Sequence, residues 1–145
     1  MNELTVGDVI SSLKDYREYL EKKAADFKQE IQDHWQESRH LQTQFLIETK
    51  ENNEISFSIP ALNFRCVSTC RIVFLEKLPV AEVRFSSEVD EKTLDIETYY
   101  LDTHGHLHVG LPGTNKPIDF EFESIGAIFL GSIVKSASAN KLISL

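Results

Sequence analysis

The sequence predicts an α+β fold: a long N-terminal amphipathic helix packed on a mostly antiparallel meander of six to seven strands, with a short apolar C-terminal helix. Three observations carry this expectation. Over residues 5–41 apolar side chains recur in steps of three and four, the period of a straight helix. Over 42–122 the period falls to two, with turn-forming clusters between the runs. Over 124–138 a nearly all-apolar stretch returns to helical spacing, and 139–145 reads as a frayed or loosely docked tail. A helix, a run of strands and a second helix form an α+β arrangement. With 145 residues, 41% of them apolar, and nine Phe, the chain can build one core, and a single domain over 1–145 is expected.

The helical stripe comprises Val6, Val9, Leu13, Tyr16, Leu20, Ala24, Phe27, Ile31 and Trp35. Thr5 can serve as N-cap, with Asp8 three residues later completing a capping box. Lys14 with Glu18, Arg17 with Glu21, and Glu18 with Lys22 stand four apart on the faces away from the stripe, which marks those faces as solvated. The alternative to one continuous helix is a break near Ala24-Ala25 into two shorter pieces.

Beyond Leu41, Phe45 and Ile47 alternate up to Thr49, Lys50-Glu51-Asn52-Asn53 reads as a turn, and Ile55, Phe57 and Ile59 alternate up to Pro60. These runs form a hairpin. Phe64 to Leu75 is the longest strand, with Phe64, Cys66, Ser68, Cys70, Ile72 and Phe74 on its core face. Leu78-Pro79 reads as the next turn, followed by an alternating run over Ala81, Val83, Phe85 and Val89 and a turn at Asp90-Glu91-Lys92. Leu94, Ile96, Thr98 and Tyr100 then share one face, which puts Tyr99 and Leu101 on the other, together with Val67, Val73 and Leu75. That second face is too apolar to stand in water unassisted. Asp102-Thr103-His104-Gly105 is a hairpin connection in which Gly105 supplies a positive φ. Leu107, Val109 and Leu111 follow, then the loop Pro112-Gly113-Thr114-Asn115 and a short strand over Ile118, Phe120 and Phe122. Ser124 is placed to begin the last helix, which Gly126 and Gly131 weaken.

Charge and composition exclude some functions. A net charge of −8 argues against a nucleic-acid module, which needs a basic stripe to displace counterions. The longest apolar segment, Ile125 to Leu130, is far short of the ~18 residues of a membrane span. Met1-Asn2-Glu3-Leu4 has neither the charge nor the apolar run of a signal peptide. Cys66 and Cys70, on one strand face about 13 Å apart, cannot form a disulfide. A reduced, cytoplasmic setting is the expectation.

The candidate chemistry is sparse. His104, His106 and His108 form one constellation, since alternate strand residues share a face and could present imidazoles to a zinc or iron ion. Against this, Gly105 in a turn swings His104 off that face. There is no Gly-rich phosphate loop, no GxSxG elbow and no HExxH, so an enzymatic role has no support in the sequence, and no cofactor is required by it.

The preferred expectation is a non-catalytic interaction or assembly module that pairs with itself or with another protein. Thirty-five helical residues span about 52 Å, whereas a domain of this size is roughly 40 Å across. Part of the helix therefore overhangs its sheet, or the helix bends. An overhanging apolar stripe needs a partner, and Leu13, Tyr16, Leu20, Phe27, Ile31 and Trp35 are the candidate contacts, Trp and Tyr being enriched at interface hot spots. Two alternatives stand beside it: a cavity for a small apolar ligand between sheet and helix, and a metal site on the histidines.

Overall fold

Helix α1 runs unbroken over Val6–Gln36 in the computed structural model, which describes residues 3–51 and 54–143. The capping box is formed as expected: the Asp8 amide donates to Thr5 Oγ1 at 3.1 Å, and the Thr5 amide donates to Asp8 Oδ2 at 3.0 Å. The helix passes straight through Ala24-Ala25. It ends instead at Glu37-Ser38, where Ser38 is extended and its hydroxyl accepts the Leu41 amide to start a short second helix, α2 (Arg39–Gln44). Residues 42–44, expected to enter a strand, are therefore helical. The Gln42 amide group donates back to the carbonyls of Trp35 and Gln36 at the C-terminal end of α1.

Among the described residues seven antiparallel strands follow in strict sequence order: β1 (Leu46–Thr49), β2 (Ile55–Ile59), β3 (Phe64–Leu75), β4 (Leu78–Val89), β5 (Lys92–Leu101), β6 (His106–Val109) and β7 (Ile118–Asp119). The turn expected over 50–53 is described only to Glu51; Asn52 and Asn53 lie outside the described residues. Pro60 ends β2 in a 3₁₀ turn, Pro60–Leu62. The β3–β4 connection is Glu76-Lys77 rather than Leu78-Pro79, with both residues at positive φ (49° and 69°) and Leu75 facing Leu78 across it. This is a two-residue primed turn, whose twist suits the flanking strands.

One irregularity decides which side chains reach the core. The β4–β5 register shifts between Phe85 and Ser86, where Glu97 faces Phe85 but Asp95 faces Ser86, so Ile96 is the extra residue of a bulge. An extra residue inverts the alternation beyond it. Ile96 is buried on one side of the bulge, and Tyr99 and Leu101 are fully buried on the other. The expectation that Tyr99 and Leu101 occupy the second face is corrected by this single insertion.

Helix α3 (Ile125–Ala139) packs on the same sheet face as α1. The Phe129 ring lies 5.0–6.2 Å from the rings of Phe85, Tyr99, Phe57 and Phe27, so β4, β5, β2 and α1 all meet on it. The Tyr99 hydroxyl meets Ser132 Oγ, and Ser136 donates to Glu97. Aromatic rings thus pack the centre of the space between helices and sheet. Strand β7 stops at Asp119, leaving Phe120 buried and Phe122 at 82% exposure in the turn before α3. The tail is docked through Ile143, which is 5% exposed, rather than frayed.

Candidate functional site

The apolar stripe of α1 divides into two halves. Leu20, Phe27 and Ile31 are at most 1% exposed and belong to the chain's own core, so in the folded chain they offer nothing to a partner. Trp35 packs half-buried against that core, and its indole N–H donates to the Phe45 carbonyl at 2.7 Å, fixing the α1–α2 corner. Of the six residues expected at an interface, these four are engaged within the chain itself. Leu13 is half-buried and Tyr16 is exposed. Further toward the N-terminus, Ile10 reaches 63% exposure and Val6 77%.

The side of α1 on which Val6 and Ile10 lie follows from 100° per residue. Ile10, Arg17, Glu21 and Ala24 fall on one flank, and Glu21 and Ala24 line a groove with Cys70, Arg71 and Ile72 of β3. The exposed apolar end of the helix therefore looks toward the β3 side of the sheet. At the tip of the β3–β4 hairpin, Lys77 approaches Asp8 at 3.9 Å, so the hairpin runs as far as the first helical turn.

On that side, β3 is longer than its neighbour. Strand β2 pairs only with Phe64 to Val67, whereas β4 pairs with Val67 to Leu75. Among the described residues no strand pairs with 69–75 on the side away from β4. The direction of each backbone group follows from the turn. Leu75 and Leu78, which flank a two-residue turn, form a hydrogen-bonded pair, and such pairs alternate along the ladder. Thr69, Arg71 and Val73 therefore bond to β4, while Cys70, Ile72 and Phe74 point their N–H and C=O groups outward. Alternation in the sequence identified the strand and its length, but not which residues of it β2 would pair with.

The histidines surround a carboxylate. Asp102 Oδ1 accepts the amides of His104 and His106 at 2.9 and 3.0 Å, and His108 Nε2 lies 2.8 Å from Asp102 Oδ2. His106 Nδ1 is 3.6 Å from the same oxygen, while His104 is exposed in the turn, where Gly105 has φ of 80° as expected. Among the described residues no group of three or more His, Cys, Asp and Glu side chains is arranged to hold a metal ion. His104, His106 and His108 thus gather around Asp102, and the geometry lends a zinc or iron site no support. His108 lies in a cross-strand row with Tyr100, Glu82 and Arg71 on the face opposite the helices. Arg71 and Arg84 both pair with the buried Glu82. Beside this row is a cleft of about 480 Å³ whose walls include Leu75, Leu78, Val80, Asp102, His108 and Leu111.

Burial alone would raise the Asp102 carboxyl, but the hydrogen bonds from His108, His106 and His104 outweigh it and hold the group below its ordinary value of 3.8. A carboxyl made more acidic by folding stabilises the fold above its unfolded pKa, and that contribution is lost as pH falls through the lower folded value. Urea unfolding followed from neutral pH to about pH 3 should therefore show a wild-type loss that is flatter in Asp102→Asn. Parallel curves would show that Asp102 contributes nothing pH-dependent.

Neither cysteine reads as a nucleophile. Cys66 is 1% exposed, and burial pushes its thiol up to about 12. Cys70 reaches solvent from the groove, and partial burial there, with Glu21 and Glu82 nearby, raises its thiol too. No family model, curated protein or solved structure matches this chain. Among the described residues no helix is long and apolar enough to cross a membrane.

Proposed function

We propose that this chain is a non-catalytic protein-interaction module that self-associates through the N-terminal half of α1. The observation behind this reading is that the stripe buried at Leu20, Phe27 and Ile31 continues toward the N-terminus as Tyr16, Leu13, Val9 and Val6, with Val6 at 77% exposure and Ile10 at 63% on its flank. The 31 residues of α1 span about 46 Å, more than the core covers. Isolated exposed apolar residues are ordinary, but a continuous stripe on one helix face favours a partner.

Sedimentation equilibrium on the full chain tests it. Wild type is expected to self-associate at tens of micromolar, and Ile10→Asp to shift the population toward monomer. Because Ile10 is exposed, that substitution should change fold stability by only about 0.5 kcal/mol. A clean wild-type monomer over the same range would sink the proposal.

A second reading, a small-ligand-binding protein, draws support from the cleft beside His108 rather than from the aromatic-packed space between helices and sheet. Apolar walls with a few polar groups and a volume of about 480 Å³ suit a small molecule. A co-purified molecule in native mass spectrometry, lost on Val80→Trp, would favour it; a ligand-free mass would count against it.

A further inference from the structure

We infer that the cleft beside His108 takes a small neutral molecule with an apolar body and one hydroxyl group, the hydroxyl donating to His108 Nδ1. This assignment rests on the small-ligand reading above and names the chemical class of the ligand. His108 is 8% exposed and forms part of the cleft wall, and its Nδ1 is buried with no hydrogen-bond partner among the described residues. Buried polar groups in folded chains are nearly always paired, so one left unpaired in a cleft wall points to a partner supplied from outside. In the same walls Leu78 and Leu111 stand 59% and 56% exposed, and an apolar body seated there would take their surface out of water.

The other ring nitrogen decides what the ligand must offer. Nε2 lies 2.8 Å from Asp102 Oδ2. The carboxylate can only accept, so Nε2 carries the proton, and in the neutral imidazole Nδ1 keeps a bare lone pair that calls for a donor. Asp102 does not compete for that donor, because Oδ1 already accepts the amides of His104 and His106 and Oδ2 faces His108. Its negative charge, held by those bonds, repels an anionic head group, and Glu76 adds a second carboxylate to the wall. A cationic head would be stripped of water against Leu75, Val80 and Leu111 while the oxygens of Asp102 are engaged elsewhere. A neutral hydroxyl meets the lone pair without either cost.

NMR titration of the full chain at neutral pH with a matched series of probes tests this. In the free protein, nitrogen spectra of the imidazole should show Nε2 protonated and Nδ1 bare. Added para-ethylphenol should bind and shift the Nδ1 resonance. Its methyl ether, para-ethylanisole, keeps the apolar body but lacks the donor and should bind roughly tenfold more weakly. The charged analogues para-ethylbenzoate and para-ethylbenzylamine should leave the spectrum unchanged at the same concentration. His108→Phe should bind the phenol and the ether alike. Two protonated ring nitrogens in the free protein, equal binding of phenol and ether to wild type, or tighter binding of either ion would overturn the hydroxyl assignment while leaving the cleft a ligand site. If none of the four probes moves the cleft resonances and native mass spectrometry gives a ligand-free mass, the small-ligand reading fails with it. The probe series is run on wild type, so the test stands should His108→Phe misfold.

Discussion

Phe129→Ala is expected to destabilise the fold by about 3–5 kcal/mol, read as a lower urea midpoint at unchanged slope. Phe129 is fully buried, and its ring is edge-on to Phe57 at 5.9 Å and tilted against Phe85 at 5.0 Å and Tyr99 at 5.8 Å. Truncation loses the transfer free energy of the ring and leaves a cavity. The walls of that cavity belong to α1, β2, β4 and β5, which cannot all collapse inward together. Aromatic pair geometry adds about 0.5–1.5 kcal/mol per contact beyond area. Phe129→Leu should cost less, about 1–3 kcal/mol, because it refills part of the volume. A loss below about 1 kcal/mol for the alanine variant would mean that α3 is not anchored through this residue.

Gly126→Ala is expected to be nearly as damaging, by about 3 kcal/mol, although alanine is the better helix former by about 1 kcal/mol. A Cβ at Gly126 would stand 2.2 Å from His34 Cβ, 2.7 Å from His34 Cγ and 3.0 Å from the Glu30 carbonyl oxygen. The closest of these atoms belongs to the neighbouring helix's own Cβ position, which no rotamer change can move. His34→Ala should therefore fail to rescue Gly126→Ala, because it keeps the clashing atom, while His34→Gly should recover part of the loss. Equal rescue by both would show that the helices simply separate. Thermal unfolding of the two double variants distinguishes these outcomes.

The glycine illustrates what the sequence made legible and what it did not. Periodicity located α1, the meander and α3 to within a few residues, and it read Gly126 as a weakness of α3. The reason for a glycine there, a close helix crossing, depends on where α3 lies relative to His34, and no local pattern contains that. The bulge at Ile96 has the same character. Both halves of β5 alternate correctly, and only pairing with β4 shows that the phase changes between them. The ratio of lengths predicted an overhang or a bend of α1, but not that the exposed apolar end of the helix would be the N-terminal one. Leu20, Ala24 and Phe27 are spaced like Val6, Ile10 and Leu13, and the sheet's placement alone separates the buried set from the exposed one. The histidine cluster was visible as spacing, whereas its organisation around Asp102 depends on the turn that brings the carboxylate beneath two amides.

The position of Phe129 also bears on how the chain is made. The strands are neighbours in sequence order, so each can join the growing sheet as it leaves the ribosome. The side chain on which those strands converge arrives only with α3, after all of them. The 15 residues of α3 take roughly 1–3 s to synthesise at bacterial or eukaryotic rates. Until α3 is in place, Phe57, Phe85 and Tyr99 lack the ring that seals them. A released chain truncated before Ser124 should thus present an aromatic concavity that the finished molecule no longer shows.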